Sequence, residues 1–341
     1  MKINTFDLVD DGVYIIAELS ANHGGSIEVA KETIKAAKEV GANAIKLQTY
    51  TPQSMTLDIE TDEFMANPNG PWKGKKLYDL YAQSALPLEW HEELFLYAKE
   101  IGIDIFSTPF DKDMVDFLEQ FNPPAYKIAS FEITDYELIR YTASKMKPMI
   151  ISTGIATIDE IQDVVDICRD VGNDEVVLLK CTSAYPAPLE DANLKTIPNL
   201  AETFGVISGF SDHTLGLTAP IVAVTLGAKV IEKHFILDRS IGGGDASFSM
   251  DKDEFASMVL AIRDTEKLLG KVTYSMTQKK KSTRHAARSL YVVKEIKKGE
   301  IFTQENIKAI RPGYGMHPKH LPNILGKVAQ KDYHIAERFS F

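Results

Sequence analysis

The chain predicts an α/β fold, a (β/α)8 TIM barrel followed by a small β-rich C-terminal domain, and three observations lead there. Short apolar segments recur eight times along the first 270 residues, amphipathic stretches separate them, and polar residues gather where the apolar segments end. Strands that alternate with helices pair in parallel through right-handed crossovers, and eight such units close a barrel. An open doubly wound sheet would compete, but no Gly-x-Gly-x-x-Gly turn follows the first strand.

The strand candidates are residues 13–19, 44–49, 103–108, 125–130, 149–153, 176–182, 205–211 and 229–235. Between the first two, Ile27, Ala30, Ile34 and Ala37 fall at helical spacing, and Gly41 stops the helix. A second helix spans 158–171, with Thr157 as N-cap and Glu160 three residues later.

In such barrels the active site lies at the C-terminal strand ends. Here the first strand ends in Glu18, with Asn22 and His23 just beyond, and the second carries Lys46 and Gln48. The third ends Ser107-Thr108-Pro109, and the fourth holds Lys127 and ends Ser130-Phe131-Glu132. The fifth ends Ser152-Thr153-Gly154 and the sixth Lys180-Cys181-Thr182-Ser183-Ala184-Tyr185-Pro186. The seventh and eighth supply His213 and His234, each near a carboxylate. As neighbours on one rim, two imidazoles can grip one divalent cation and leave positions open for chemistry. The alternative is that each histidine caps its strand and bonds a loop carbonyl. Hydroxyls and glycines at strand ends also serve turns and caps. Lysines inside apolar strands are costly to bury unpaired, so Lys46, Lys127, Lys180 and Lys233 call for carboxylates or an anionic ligand.

After Gly270 the pattern changes. Residues 1–270 form the barrel, 271–288 read as a linker, and 289–341 as a compact β-rich module. The linker's Gln278-Lys279-Lys280-Lys281 reads as a solvated tether rather than a nucleic-acid contact. In the module, 289–293 is a strand candidate, and turns centre on Gly299 and on Arg311-Pro312-Gly313. A core of about fifty residues is small, so the module is expected to pack on a partner surface.

Composition bounds the function. A net charge of −10 argues against a general nucleic-acid binder, and 44% hydrophobic with 25% charged residues is ordinary for a globular protein. Two cysteines cannot build a disulfide framework, and neither a signal peptide nor a membrane span is evident, so a cytoplasmic protein is expected.

Taken together, these segments resemble the sialic acid synthase family, whose members condense phosphoenolpyruvate with an amino-sugar aldose. The resemblance is carried by residues 17–23, 45–50, 106–110, 151–154, 181–186, 209–213 and 232–235, in order on the expected strand ends. Residues 289–341, with Arg311-Pro312-Gly313, are similar to the family's antifreeze-like (SAF) domain. The Ala-Glu-Leu-Ser-Ala-Asn-His form at 17–23, the run at 47–51, Trp72 with Gly74 and Tyr81, and Gly243-Gly244-Asp245-Ala246 resemble the branch that makes pseudaminic acid. Some relatives carry Asn where this chain has Ser183.

The resemblance implies that His213 and His234 hold a divalent cation, manganese first, with magnesium or cobalt as alternatives. It implies that Lys46, Thr108, Lys127, Ser130, Ser152, Ser183 and Ser211 line the phosphoenolpyruvate site. Glu18, Gln48, Tyr185 and Asp245 match sugar-contacting or metal-proximal positions, and Glu132 matches an acid near the reacting carbons. Arg311 matches an arginine that reaches the sugar in the other subunit of a domain-swapped homodimer. Phe131 or Trp72 would offer an apolar patch to a sugar C6 methyl. From the residue types alone, a Schiff-base aldolase using a strand lysine and a non-catalytic binding protein are the rivals.

Overall fold

The computed structural model describes residues 1–66 and 73–340 and divides into two compact units, Met1–Gly270 and Lys271–Phe341. Trp72 lies outside the described residues.

The first unit opens with a hairpin of β1 (Lys2–Ile3) and β2 (Phe6–Asp7). Eight parallel strands then close a barrel: β3 (Tyr14–Glu18), β4 (Ala44–Thr49), β5 (Asp104–Pro109), β6 (Tyr126–Ile128), β7 (Met149–Ser152), β8 (Val176–Cys181), β9 (Ile207–Asp212) and β10 (Val230–His234). The last pairs with the first, setting His234 opposite Glu18.

Alternation along each strand divides its side chains between two apolar clusters. One lies inside the barrel: Tyr14, Ile16, Ala44, Phe106, Ala125, Ile150, Val177, Leu179 and Val230 pack with Ile3 and Leu8, so the hairpin plugs this core. Gly209 belongs to the same packing, because a Cβ there would lie 2.4 Å from the Val230 carbonyl oxygen and 2.7 Å from Leu179. The other cluster joins the outward strand faces to the helices, through residues such as Ile15, Ile45, Ile151, Leu178 and Ile231 against Ile34, Leu94, Val164 and Phe255.

Capping fixes the helix starts. Ser26 caps Ile27–Glu39, and Thr157 with Glu160 forms a capping box on Ile158–Asp170, as the spacing predicts. Gly102, at φ 74°, ends His91–Ile101 in the left-handed conformation that glycine adopts freely. Among the described residues, no helix is long and apolar enough to cross a membrane.

In the second unit, β11 (Ser289–Val292) pairs antiparallel with β12 (Ile307–Ile310). Leu290, Val292, Ile296, Phe302, Ile307, Ile324, Tyr333 and Phe339 form its core. The stretch read as linker is not featureless: Thr277 caps a short helix, Gln278–Thr283, that carries the basic run.

Candidate active site

One step above the apolar plug, each strand turns a polar residue into the barrel. Two positions beyond Ile16, Ala44, Phe106, Ala125, Ile150, Leu179, Gly209 and Val230 stand Glu18, Lys46, Thr108, Lys127, Ser152, Cys181, Ser211 and Glu232. All eight are buried. The next step up brings Gln48, Ser183, His213 and His234.

The ring is wired through its charges. The Lys46 ammonium sits 2.6 Å from Glu18 Oε2, 3.3 Å from Thr108 Oγ1 and 3.9 Å from Glu232 Oε1. Lys127 donates to Ser152 Oγ at 2.7 Å and to the Ile128 carbonyl at 2.8 Å, and lies 3.9 Å from the same Glu232 oxygen. Ser211 Oγ donates to Glu232 at 3.2 Å. Burial raises the Glu18 carboxyl to about 7 despite Lys46, with Glu232 adding repulsion. Burial works the same way on Glu232, but Lys127 and Lys46 outweigh it and hold that carboxyl below its ordinary value. Lys46 and Lys127 therefore face one firm carboxylate and one that burial makes easier to protonate, a balance that leaves room for an anion.

A hydroxyl cradle adjoins them. The Gly154 N–H donates to Ser130 Oγ at 3.2 Å. A Cβ at Gly154 would lie 2.3 Å from Ser183 Oγ and 2.7 Å from Ser130 Oγ, so only glycine lets these hydroxyls converge. Ser183 Oγ is buried and makes no hydrogen bond, and the same holds for Glu132 Oε2, Glu232 Oε2 and His234 Nδ1. Glu18 Oε2 has its ion pair with Lys46 but no well-aligned hydrogen bond. Buried polar atoms left unpaired cost about 1–3 kcal/mol each, and their concentration here points to a polar ligand.

The two histidines meet as the strand order requires, with ring centroids 5.3 Å apart. His213 Nδ1 lies 3.0 Å from the Thr182 carbonyl, to which it donates. Burial lowers this ring, but Cys181, that carbonyl and Glu232 hold it above the ordinary histidine value, and Nε2 offers a lone pair once its proton is shed. Burial, then the positive charges of His213, Lys46 and Lys233, push His234 well below the usual histidine range and keep it neutral. Its orphaned Nδ1 stands 3.6 Å from Asp245 Oδ2. Two neutral-capable imidazoles, one with a buried unpaired nitrogen, fit a divalent cation. Among the described residues, no cluster of three or more His, Cys, Asp or Glu is arranged to hold a metal, so the protein's share of such a site would be this pair.

Tyr185 packs its ring 4.4 Å from His213 and Phe248 packs 4.9 Å from His234, walling the pair. Gln48 Nε2 donates to Glu18 at 2.9 Å and to Ser20 at 3.1 Å. Glu132 lies in the turn that follows the C-terminal end of β6, at the same mouth, and burial raises its carboxyl against the pull of Lys127. Phe131 beside it is 58% exposed. Arg311 belongs to the second unit, where it is exposed.

Other residues fall outside the ring. Lys233 points away from it and has the carboxylate its burial calls for, Asp212 at 2.6 Å, with the Thr214 carbonyl at 2.6 Å. Lys180 donates to the Cys181 carbonyl at 2.7 Å and is only half-buried, so of the four strand lysines Lys46 and Lys127 belong to the ring. Asn22 ties its loop to the Phe235 carbonyl and Ser249, and His23 lies 3.3 Å from the Ser84 carbonyl. The sequence reading passed over Glu232 and Cys181 as site residues, and Ser20, although period-two counting from His234 and Ser183 reaches the first two.

Comparison with known proteins agrees with this geometry. Residues 33–274 match the NeuB family and 287–336 match the SAF domain. A pseudaminic acid synthase of Campylobacter jejuni is 50% identical, with 99% of this chain and 98% of that protein covered. An N,N'-diacetyllegionaminic acid synthase of Legionella pneumophila is 39% identical over 92% of this chain and 89% of its own length. The crystal structure of an N-acetylneuraminic acid synthetase from Leptospira borgpetersenii superposes with a TM-score of 0.70 at 30% identity, covering 80% of this chain and 90% of that one.

Proposed function

This chain belongs to the NeuB family, and from that premise we propose that it is a pseudaminic acid synthase. It would condense phosphoenolpyruvate with 2,4-diacetamido-2,4,6-trideoxy-altrose to a nine-carbon nonulosonic acid, releasing phosphate by C–O cleavage. The observation that carries the chemistry is the pair Lys46 and Lys127, set with the Ser130–Gly154–Ser183 cradle beside two histidines. The choice of sugar rests on the 50% identity to a pseudaminic acid synthase, against 39% to a legionaminic one. Sialic or legionaminic acid synthesis is the second reading.

Lys46, Lys127 and the hydroxyls of Thr108, Ser130, Ser152, Ser183 and Ser211 fix phosphoenolpyruvate through charge-assisted hydrogen bonds. His213 and His234 would hold a divalent cation, with manganese preferred and magnesium or cobalt as alternatives. When bound, the cation supplies Lewis acidity at the aldehyde of the open-chain sugar. Gln48, Tyr185 and Asp245 orient that sugar so that C3 of phosphoenolpyruvate forms a bond to its C1. The aldehyde oxygen takes up a proton, for which Glu18, its carboxyl raised by burial to about 7, is our candidate donor among Glu18, Glu132 and Asp245. C2 gains oxocarbenium character, which the Glu132 carboxyl, its Oε2 unpaired, stabilises while it guides water to that carbon and accepts the proton the water loses on adding. The hydroxyl proton of the resulting tetrahedral centre passes to the phosphate oxygen as the C2–O bond breaks.

We also place the enzyme in the cytoplasm, as a homodimer in which Arg311 completes the sugar site of a second copy. Its two cysteines are free, and Arg311 is exposed. Mixing Arg311→Ala protein with a barrel-site variant tests the exchange: recovered turnover supports it, and none opposes it. For the reaction, purified protein is assayed for phosphate release with each amino sugar. Faster turnover of N-acetylmannosamine than of the trideoxy sugar would sink the pseudaminic assignment.

A further inference from the structure

We infer that Ser20 is a positioning residue of this site, holding the Asp245 carboxylate beside His234; the inference rests on the synthase reading above. Ser20 follows β3 with its backbone at φ 49°, in the left-handed region. Glycine enters that region at no steric cost, whereas an L-residue there is strained. Strain of this kind persists at functional sites, where the surrounding structure holds it.

What serine adds over glycine here is a Cβ and one hydroxyl, and the hydroxyl is fully employed. It is buried, donates to Asp245 Oδ2 and accepts from Gln48 Nε2 at 3.1 Å. Gln48 Nε2 also donates to Glu18 at 2.9 Å, so one chain of hydrogen bonds joins Glu18, Gln48, Ser20 and Asp245. Asp245 sits in the loop after β10, just past Gly242 and Gly243, both at positive φ. Its carbonyl is held by the Ser249 N–H at 3.1 Å and Ser249 Oγ at 2.7 Å, so its backbone is anchored and the carboxylate is what Ser20 orients. Ser20 donates to this carboxylate, His234 Nδ1 stands 3.6 Å from it, and Tyr50 and Tyr185 lie within its electrostatic reach. Ser20 thus links the end of the first barrel strand to the loop beyond the last, across the seam where β10 meets β3.

The test compares Ser20→Gly and Ser20→Ala in the full-length enzyme. Both lose the hydroxyl, but Gly relieves the backbone and Ala does not. Each should lose at least roughly tenfold in turnover, the scale of a misplaced catalytic group. Phosphoenolpyruvate binding measured by calorimetry should stay within about twofold of wild type, since the lysine and hydroxyl cradle is untouched. The thermal midpoint of Ser20→Gly should exceed that of Ser20→Ala, since both lose the hydroxyl and only Gly relieves the left-handed backbone. In an Asp245→Asn background, Ser20→Gly should cost little more, because residues acting through one another are non-additive. Turnover of Ser20→Gly within twofold of wild type, or losses that simply multiply, would overturn the inference. Should wild-type protein fail to turn over any amino sugar, the synthase reading falls. The tether is then read from a crystal structure of Ser20→Gly: Asp245 leaving His234 supports it, and Asp245 unmoved overturns it.

Discussion

The ammonium of Lys127 lies 3.9 Å from Oε1 of Glu232, inside the barrel and beyond hydrogen-bond reach. Lys46 approaches the same oxygen at the same 3.9 Å from the other strand. Glu232 therefore moderates both charges without using up their donors. Each ammonium has three protons: Lys127 gives two to Ser152 and the Ile128 carbonyl, and Lys46 gives one to Thr108 beside its ion pair with Glu18. Glu232→Gln should leave two buried cations short of countercharge and destabilise the ligand-free protein by about 3 kcal/mol. Phosphoenolpyruvate would restore the charge balance, so it should raise the variant's thermal midpoint by more than it raises the wild type's. Equal ligand-induced shifts in thermal unfolding would show that Glu232 does not hold this balance.

Gly154→Ala tests the cradle. The added methyl would stand 2.3 Å from Ser183 Oγ, closer than any real contact, so hydroxyl or backbone must shift. Overpacking of this kind costs about 1–3 kcal/mol. Because the displaced groups are those expected to hold an oxyanion, the KM for phosphoenolpyruvate should rise roughly tenfold or more, while the KM for the sugar changes little. Steady-state kinetics with each substrate varied in turn separates the two, and an unchanged KM for phosphoenolpyruvate would place the anion elsewhere.

The barrel was legible because β/α alternation is a strong signal and the polar strand ends fall where that alternation stops. The histidines were legible because both follow apolar runs. What the lysine reading lacked was register: Lys233 neighbours His234 in sequence and so cannot share its face, whereas Glu232, two residues back, must. Strand β6 closes at Ile128, short of the expected 130, because Ser130–Glu132 turns into a 3-10 helix that brings Glu132 to the mouth. Two features carry no periodic signal at all. The plug made by Ile3 and Leu8 rests on two-residue strands, and the left-handed backbone of Ser20 is unannounced by a residue that is not glycine. Arg311 shows the opposite limit, since motif resemblance points to it while its own unit contains none of the barrel ring.

Removal of a histidine should separate metal retention from folding. His234→Ala deletes a neutral imidazole whose Nδ1 makes no hydrogen bond, so what the fold loses is the ring's packing against Phe248 and Tyr185. Bound manganese, measured by atomic absorption after desalting, should fall below stoichiometric, and turnover should drop by about a hundredfold or more. Chelation of the wild type should abolish activity, with recovery on adding manganese. Activity that survives chelation, together with a borohydride-trapped adduct, would favour a lysine Schiff base instead.

His91 links stability to pH outside the active site. Its ring is buried between Phe117 and Phe121; Nδ1 lies 3.2 Å from the Leu88 carbonyl, and Nε2 accepts from Thr49 Oγ1 at 2.8 Å. Burial lowers its pKa to about 4, against the partial support of the Pro87 and Leu88 carbonyls. The unfolded chain takes a proton near pH 6.5 and the folded one does not, so the unfolded state binds more protons in between. The stability this neutral ring confers is complete above pH 6.5 and is lost as pH falls towards 4, at about 1.4 kcal/mol per pH unit. Between pH 6.5 and pH 5 the wild type should lose about 2 kcal/mol on this account. His91→Gln can still meet Thr49 but does not titrate, so its denaturation free energy should fall by that much less over the same interval. Parallel pH profiles for the two proteins would mean that His91 already carries a proton in the folded state.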